Sequence, residues 1–191
     1  PAQSGYSMTH NFLSDLGGYE SRSGSVNFLS AFFFNTSMFL FLGVGIGFLL
    51  VPRLFQDNPM NYRLAIVGSI FFLLGNAFFA GVGLTPHDLY LDLHLFFALN
   101  AFRLLIPGSL LYLIVLLRSP VKNHYALVTM FYLVSTVAYV IYQLTTGSVF
   151  DSQEEMVRQA TIQKLIALAS VVTMFSLSFA FASQLKTLDL S

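Results

Sequence analysis

Five runs of about twenty or more consecutive, mostly apolar residues decide what this chain can fold into. They fall near 28–51, 63–84, 89–117, 124–147 and 160–185. A helix rises about 1.5 Å per residue, so some twenty apolar residues cross a hydrocarbon core about 30 Å thick. A helix also pairs its own backbone polar groups, which lipid cannot do for it. The expected fold is all-α: a polytopic transmembrane helix bundle with five spans in this chain. Composition agrees, since 55% of the 191 residues are hydrophobic and 9% are charged, against about 25% charged in a soluble domain. A soluble fold of this length could not hide so much apolar surface. Residues 1–27, polar and rich in Ser and Gly, are expected to form an extracytoplasmic or interfacial N-terminal segment, and 28–191 a single transmembrane domain.

The breaks between runs carry helix-ending residues. Pro52 and then Asp57-Asn58-Pro59 follow the first run, Thr85-Pro86 the second, Arg118-Ser119-Pro120 the third and Gly147-Ser148 the fourth. Thr85 is expected as an N-cap with Pro86 at the first position of the third helix. Pro107 predicts a kink in that helix, and the acidic stretch 151–155 is expected as a solvated loop. Gly43 and Gly47 form a small-xxx-small pair of the kind that lets a neighbouring helix approach closely.

Five spans put alternate loops on alternate sides. Arg53, Arg63, Arg118, Lys122 and Lys186 share one side; Arg22, Arg158 and Lys164 share the other, with Arg103 inside a span. The positive-inside rule places the richer set in the cytoplasm, hence the N-terminus outside and the C-terminus inside. Carrying that N-terminus across calls for a first helix or signal ahead of residue 1. Six spans are therefore expected in the intact protein.

The topology gathers polar residues at the outer face. His10, Ser14 and Asp15 precede the first span, His87, Asp88, Asp92 and His94 open the third, and Glu154, Glu155, Gln159, Gln163 and Lys164 open the fifth. Asp88 and Asp92 are four residues apart and share a helix face. Ionisable groups in membranes are costly and tend to face a partner or a cavity. His10, Asp15, Asp88 and His94 are the candidate catalytic residues. Arg103, Asp92, Ser14, Asn76, Asn100 and Gln143 are the candidate substrate-binding residues. A set of His10, Asp88 and His94 has donors that zinc accepts, and a bound water there would be acidified for attack on an ester or amide. Simpler readings stand beside these: Asp88 as a helix cap, His87 wet at the interface, His94 in an interhelical hydrogen bond, Arg103 paired with a lipid headgroup or another subunit.

Several classes are excluded or disfavoured. With no cysteine there are no disulfides, thiolate metal sites or Cys nucleophiles. A net charge of zero gives no case for nucleic acid. Haem is disfavoured because His94 is the only histidine placed well inside a span. No HExxH, P-loop, GxSxG or dinucleotide glycine pattern is present.

His10 to Gly17 and the segment Gly83-Leu84-Thr85-Pro86-His87-Asp88, followed by His94, resemble the conserved-motif segments of an uncharacterised family of bacterial and archaeal six-helix membrane proteins. The resemblance implies six helices, the first lying before residue 1, and a grouping of His10, Ser14, Asp15, Pro86, Asp88 and His94. A weaker similarity is to membrane hydrolases such as alkaline ceramidases, whose closing H-x-x-x-H pair this chain lacks.

Three functions follow as expectations. The first is an enzyme or binding protein acting on a membrane lipid or lipid-linked substrate at the outer His/Asp face. The second is a non-catalytic subunit of a larger membrane complex. The third, a small transporter, ranks last because the chain has no inverted repeat.

Overall fold

The computed structural model describes residues 5–21, 23–147 and 152–189. Arg22 and Asp151, which figured in the charge count and the acidic stretch, lie outside the described residues. Five long helices make the bundle: α1 Phe28–Phe48, α2 Pro59–Leu84, α3 Leu91–Leu117, α4 Asn123–Thr145 and α5 Gln153–Asp189. Each is long and apolar enough to cross a membrane. Large apolar side chains such as Phe33, Phe131, Leu168 and Phe175 point outward, which suits hydrocarbon and not water. The chain is an integral, multi-pass α-helical membrane protein.

Local chemistry sets the helix boundaries, and in three places departs from the sequence expectation. The second helix starts earlier than residue 63: Asn58 Oδ1 accepts the N–H groups of Met60 and Asn61 at 3.0 and 3.1 Å, with Pro59 at the first helical position. Thr85 does not open α3. It closes α2, its hydroxyl donating to the Gly81 carbonyl at 2.8 Å, and residues 86–89 form a turn before α3 begins at Leu91. Glu154 and Glu155 are not in a loop but in the first turn of α5, where Ser152 Oγ accepts the Glu155 N–H at 3.1 Å. Acidic side chains there complement the helix dipole. Helix α3 runs unbroken through Pro107.

Sequential helices pack on one another, α1 on α2, α2 on α3, α3 on α4 and α4 on α5. The close approach of α1 to α2 occurs at Gly45, where a Cβ would lie 2.9 Å from the Asn76 Cβ and 3.2 Å from the Leu73 Cα. Gly43 and Gly47 face open space. The glycine that packs is thus two residues from each member of the expected pair, on the opposite side of the helix. The core is aromatic: Phe48 stacks on Phe72 at 4.4 Å, with Tyr112 and Phe181 edge-on to Phe48 at 5.4 and 5.8 Å.

Helices α1 and α5 complete the ring unevenly. At one end the 3-10 turn Val51–Phe55 bridges them, with Gln184 Nε2 donating to the Leu54 carbonyl at 3.1 Å. At the other end the N-terminal segment, with a 3-10 turn at Leu13–Gly17, folds over the bundle. Asn27 Nδ2 donates to the carbonyls of Leu16 and Gly18, Ser30 Oγ to that of Leu16, and Lys164 Nζ to that of Asn11. Gly17 is needed in this turn because any Cβ there would run into the Phe34 ring.

Candidate functional site

Beneath the N-terminal segment lies a chamber of about 320 Å³ between the ends of α3, α4 and α5. Its polar wall contains Ser14, Asp15, His87, His94, Gln143 and Gln163, and its floor includes Phe102 and Tyr139. A wider apolar groove of about 900 Å³ runs beside it between α1 and α5, past Phe33, Phe34, Phe41, Leu165 and Leu168. Ser14, His94, Ala98, Phe102 and Gln163 line both spaces.

His94 sits where chamber and groove meet because α3 starts at Leu91, which places it one turn inside the helix on the buried face. Its Nδ1 lies 2.7 Å from the Thr85 carbonyl oxygen. A carbonyl only accepts, so Nδ1 carries the proton and Nε2 of the neutral ring is left with the basic lone pair. The unfinished end of α2 thereby selects the tautomer of a histidine nine residues on.

Asp15 and His87 form the second element. His87 Nε2 lies 3.3 Å from Asp15 Oδ1, and the two imidazole rings of His87 and His94 stand 5.9 Å apart, edge to face. Asp15 is held in place by Asn11 Nδ2 at 2.8 Å and the Phe12 N–H at 3.1 Å. His87 Nδ1 and Gln143 Oε1 are buried without a hydrogen-bond partner among the described residues. Groups this buried normally find partners, and both belong to residues lining the chamber.

Asp88 has a different task. Its two carboxylate oxygens accept the N–H groups of Tyr19 and Glu20 at 3.0 and 2.8 Å, clamping the N-terminal segment to the turn before α3. Partial burial pushes the carboxyl up, but the backbone donations from Glu20 and Tyr19 outweigh it and hold the group below its ordinary range.

Other expected site residues stand apart. His10 Nδ1 is spent locally on Thr9 Oγ1 at 2.8 Å and Ser7 Oγ at 3.3 Å, and His10 lines neither space. Asp92 is exposed on α3 outside the chamber. Asn76 and Asn100 each donate back to the carbonyl four residues earlier, at Phe72 and Phe96, both at 2.7 Å. Arg103 is also outside, with Asn100 Oδ1 at 3.4 Å from Nη1. Among the described residues no group of three or more His, Asp and Glu side chains could hold a metal ion. The zinc set of His10, Asp88 and His94 does not fit, because His10 and Asp88 are committed to hydrogen bonds elsewhere.

Four residues of the chamber carried weak sequence signals. His87 reads as interfacial in sequence but is Asp15's partner. Tyr139, Tyr142 and Gln143 reach the chamber together because spacings of three and four share a helix face.

Fold and cavity define the class: a multi-pass helical membrane protein with a chamber of mixed lining at one end of the bundle. No known family model, curated protein or solved structure matches the chain.

Proposed function

We propose that this protein binds an amphipathic lipid or lipid-linked molecule at its extracytoplasmic face, the polar part in the chamber and the chain in the groove between α1 and α5. The observation that carries this reading is the shared border of the two spaces at Ser14, His94, Ala98, Phe102 and Gln163. A head-sized space with one polar wall, opening onto an apolar slot, suits the two halves of one amphiphile. His94 Nε2 and Gln143 Oε1 accept from the head, and the Asp15–His87 pair offers a further polar contact beside them. Hydrolysis is the chemical extension of the same reading: His94 Nε2 would take a proton from a water attacking a carbonyl held in the chamber.

Labelling in nanodiscs with a phospholipid carrying a diazirine on its acyl chain tests the reading. Adducts are expected at Phe33, Phe34, Leu165 and Leu168 in excess over equally exposed residues outside the groove, such as Phe131 and Phe175. Filling the border with Ala98→Phe, or removing the acceptor with His94→Leu, should cut the excess at least about tenfold. Even labelling of all lipid-facing residues, unchanged in both variants, would sink the proposal.

A further inference from the structure

Arg103 is a cation that the bundle does not use. It stands about 18 Å along the axis from Leu91 and about 21 Å from Leu117, so it lies near the middle of α3. In a hydrocarbon core about 30 Å thick that is close to mid-depth, beyond easy reach of either headgroup layer. Its side chain is half-buried, on the helix face turned away from the core. Phe96, Asn100, Arg103, Pro107 and Leu110 share one helix face, and Phe96 and Leu110 are exposed. Ala101, Phe102, Leu105, Ser109 and Tyr112 on the other side are buried in the core.

The guanidinium has Asn100 Oδ1 at 3.4 Å as its polar contact and no carboxylate within ion-pairing distance among the described residues. Asn100 is a poor substitute for a carboxylate, since its amide oxygen is neutral and lies at the long end of hydrogen-bonding distance. Pro107 removes a backbone donor at this level. It lacks the N–H that would normally bond the carbonyl four residues earlier, which is that of Arg103 itself. Arg103 thus combines a side chain rich in donors with a carbonyl to which Pro107 cannot donate.

We infer that the outward face of α3 around Arg103 docks a transmembrane helix of another protein that carries an Asp or Glu at mid-membrane depth. Charge complementarity commits the proposal to that partner. A second copy of this chain does not supply the acid: all nine Asp and Glu residues lie outside the central parts of the five spans, Asp92 being the nearest in sequence to Arg103. Asp92 shares the face but sits about 16 Å towards one end of α3, so a parallel copy brings it to the wrong level. A carboxylate on the partner pairs bidentately with the guanidinium, and a neighbouring hydroxyl or amide donor meets the Arg103 carbonyl.

The test uses the full chain in its native membranes. Arg103→Lys keeps the charge and supplies a reactive amine, and the membrane-permeant reagent dicyclohexylcarbodiimide joins such an amine to a carboxylate that touches it. The expected product is an amide linking residue 103 to an Asp or Glu within an apolar span of a different polypeptide. Once that polypeptide is known, its co-purification should fall at least about tenfold with Arg103→Leu. The purified Arg103→Leu chain should melt no lower than wild type, because no internal partner is lost. Absence of an adduct, an adduct to a second copy or to a phospholipid, or unfolding of the isolated Arg103→Leu chain would each overturn the inference.

Discussion

At the scale of single residues, the chain shows one aspartate doing structural work and one histidine left chemically available. Asp88 accepts two backbone N–H groups from the N-terminal segment, and its carboxyl is held below the ordinary value of about 4. Since the folded value lies below the unfolded one, the clamp is fully present above about pH 4 and is lost as pH falls through the folded value. Hydrogen exchange at the Tyr19 and Glu20 amides should therefore accelerate on acidification below pH 4. Asp88→Asn should show fast exchange at neutral pH, because an amide offers one acceptor oxygen where the carboxylate offers two. Slow exchange in that variant would remove the clamp from the account. Asp15, His94, Ser14 and Gln143 stood out in the sequence as polar residues just before or inside apolar runs on the same side of the membrane, and all four line the chamber. Misplacing His10 and Asp88 had a physical cause. Loop side chains satisfy the nearest backbone or hydroxyl group, and sequence spacing does not reveal which group that is.

At the scale of helices, one serine ties three elements together. Ser69 Oγ donates to the Phe48 carbonyl at 2.6 Å and lies 2.7 Å from the Tyr112 hydroxyl, which must then be the donor to it. Tyr112→Phe loses one hydrogen bond and should cost about 1 kcal/mol. Ser69→Ala strands both the carbonyl and the phenol in a dry core and should cost about 2 kcal/mol. Equal losses in reversible unfolding of the two variants would contradict this donor order. Glycine packing gives a second comparison. Gly45→Ala should destabilise by about 1–3 kcal/mol, since the added methyl meets Asn76 Cβ and Leu73 Cα. Gly43→Ala and Gly47→Ala should be neutral or mildly stabilising, because their surroundings are open and alanine is the better helix former. If thermal midpoints ranked the three in the opposite order, α1 would have to be rotated on α2. The motif pointed to the wrong pair because spacing shows that two glycines share a face and not which face meets the neighbour.

At the scale of the whole molecule, the absence of native cysteine allows single-cysteine topology mapping without a prior cysteine-less background. With Ser23→Cys, an impermeant maleimide should label intact cells; with Gln56→Cys, it should label only after the membrane is opened. The reverse pattern would invert the orientation taken from the Lys and Arg distribution. Five spans, their order and their approximate limits were determined by the sequence, because hydrophobic length against bilayer thickness is a one-dimensional property. The chamber, the groove and the placing of Arg103 on the face turned away from the core were decided only by tertiary structure. They depend on the rotation of each helix about its own axis, and a helix apolar on nearly all sides carries little periodic signal to set that rotation. Lipid solvates every apolar face equally well, so shape packing at residues such as Gly45 and hydrogen bonds such as Ser69 to Phe48 choose among the rotations.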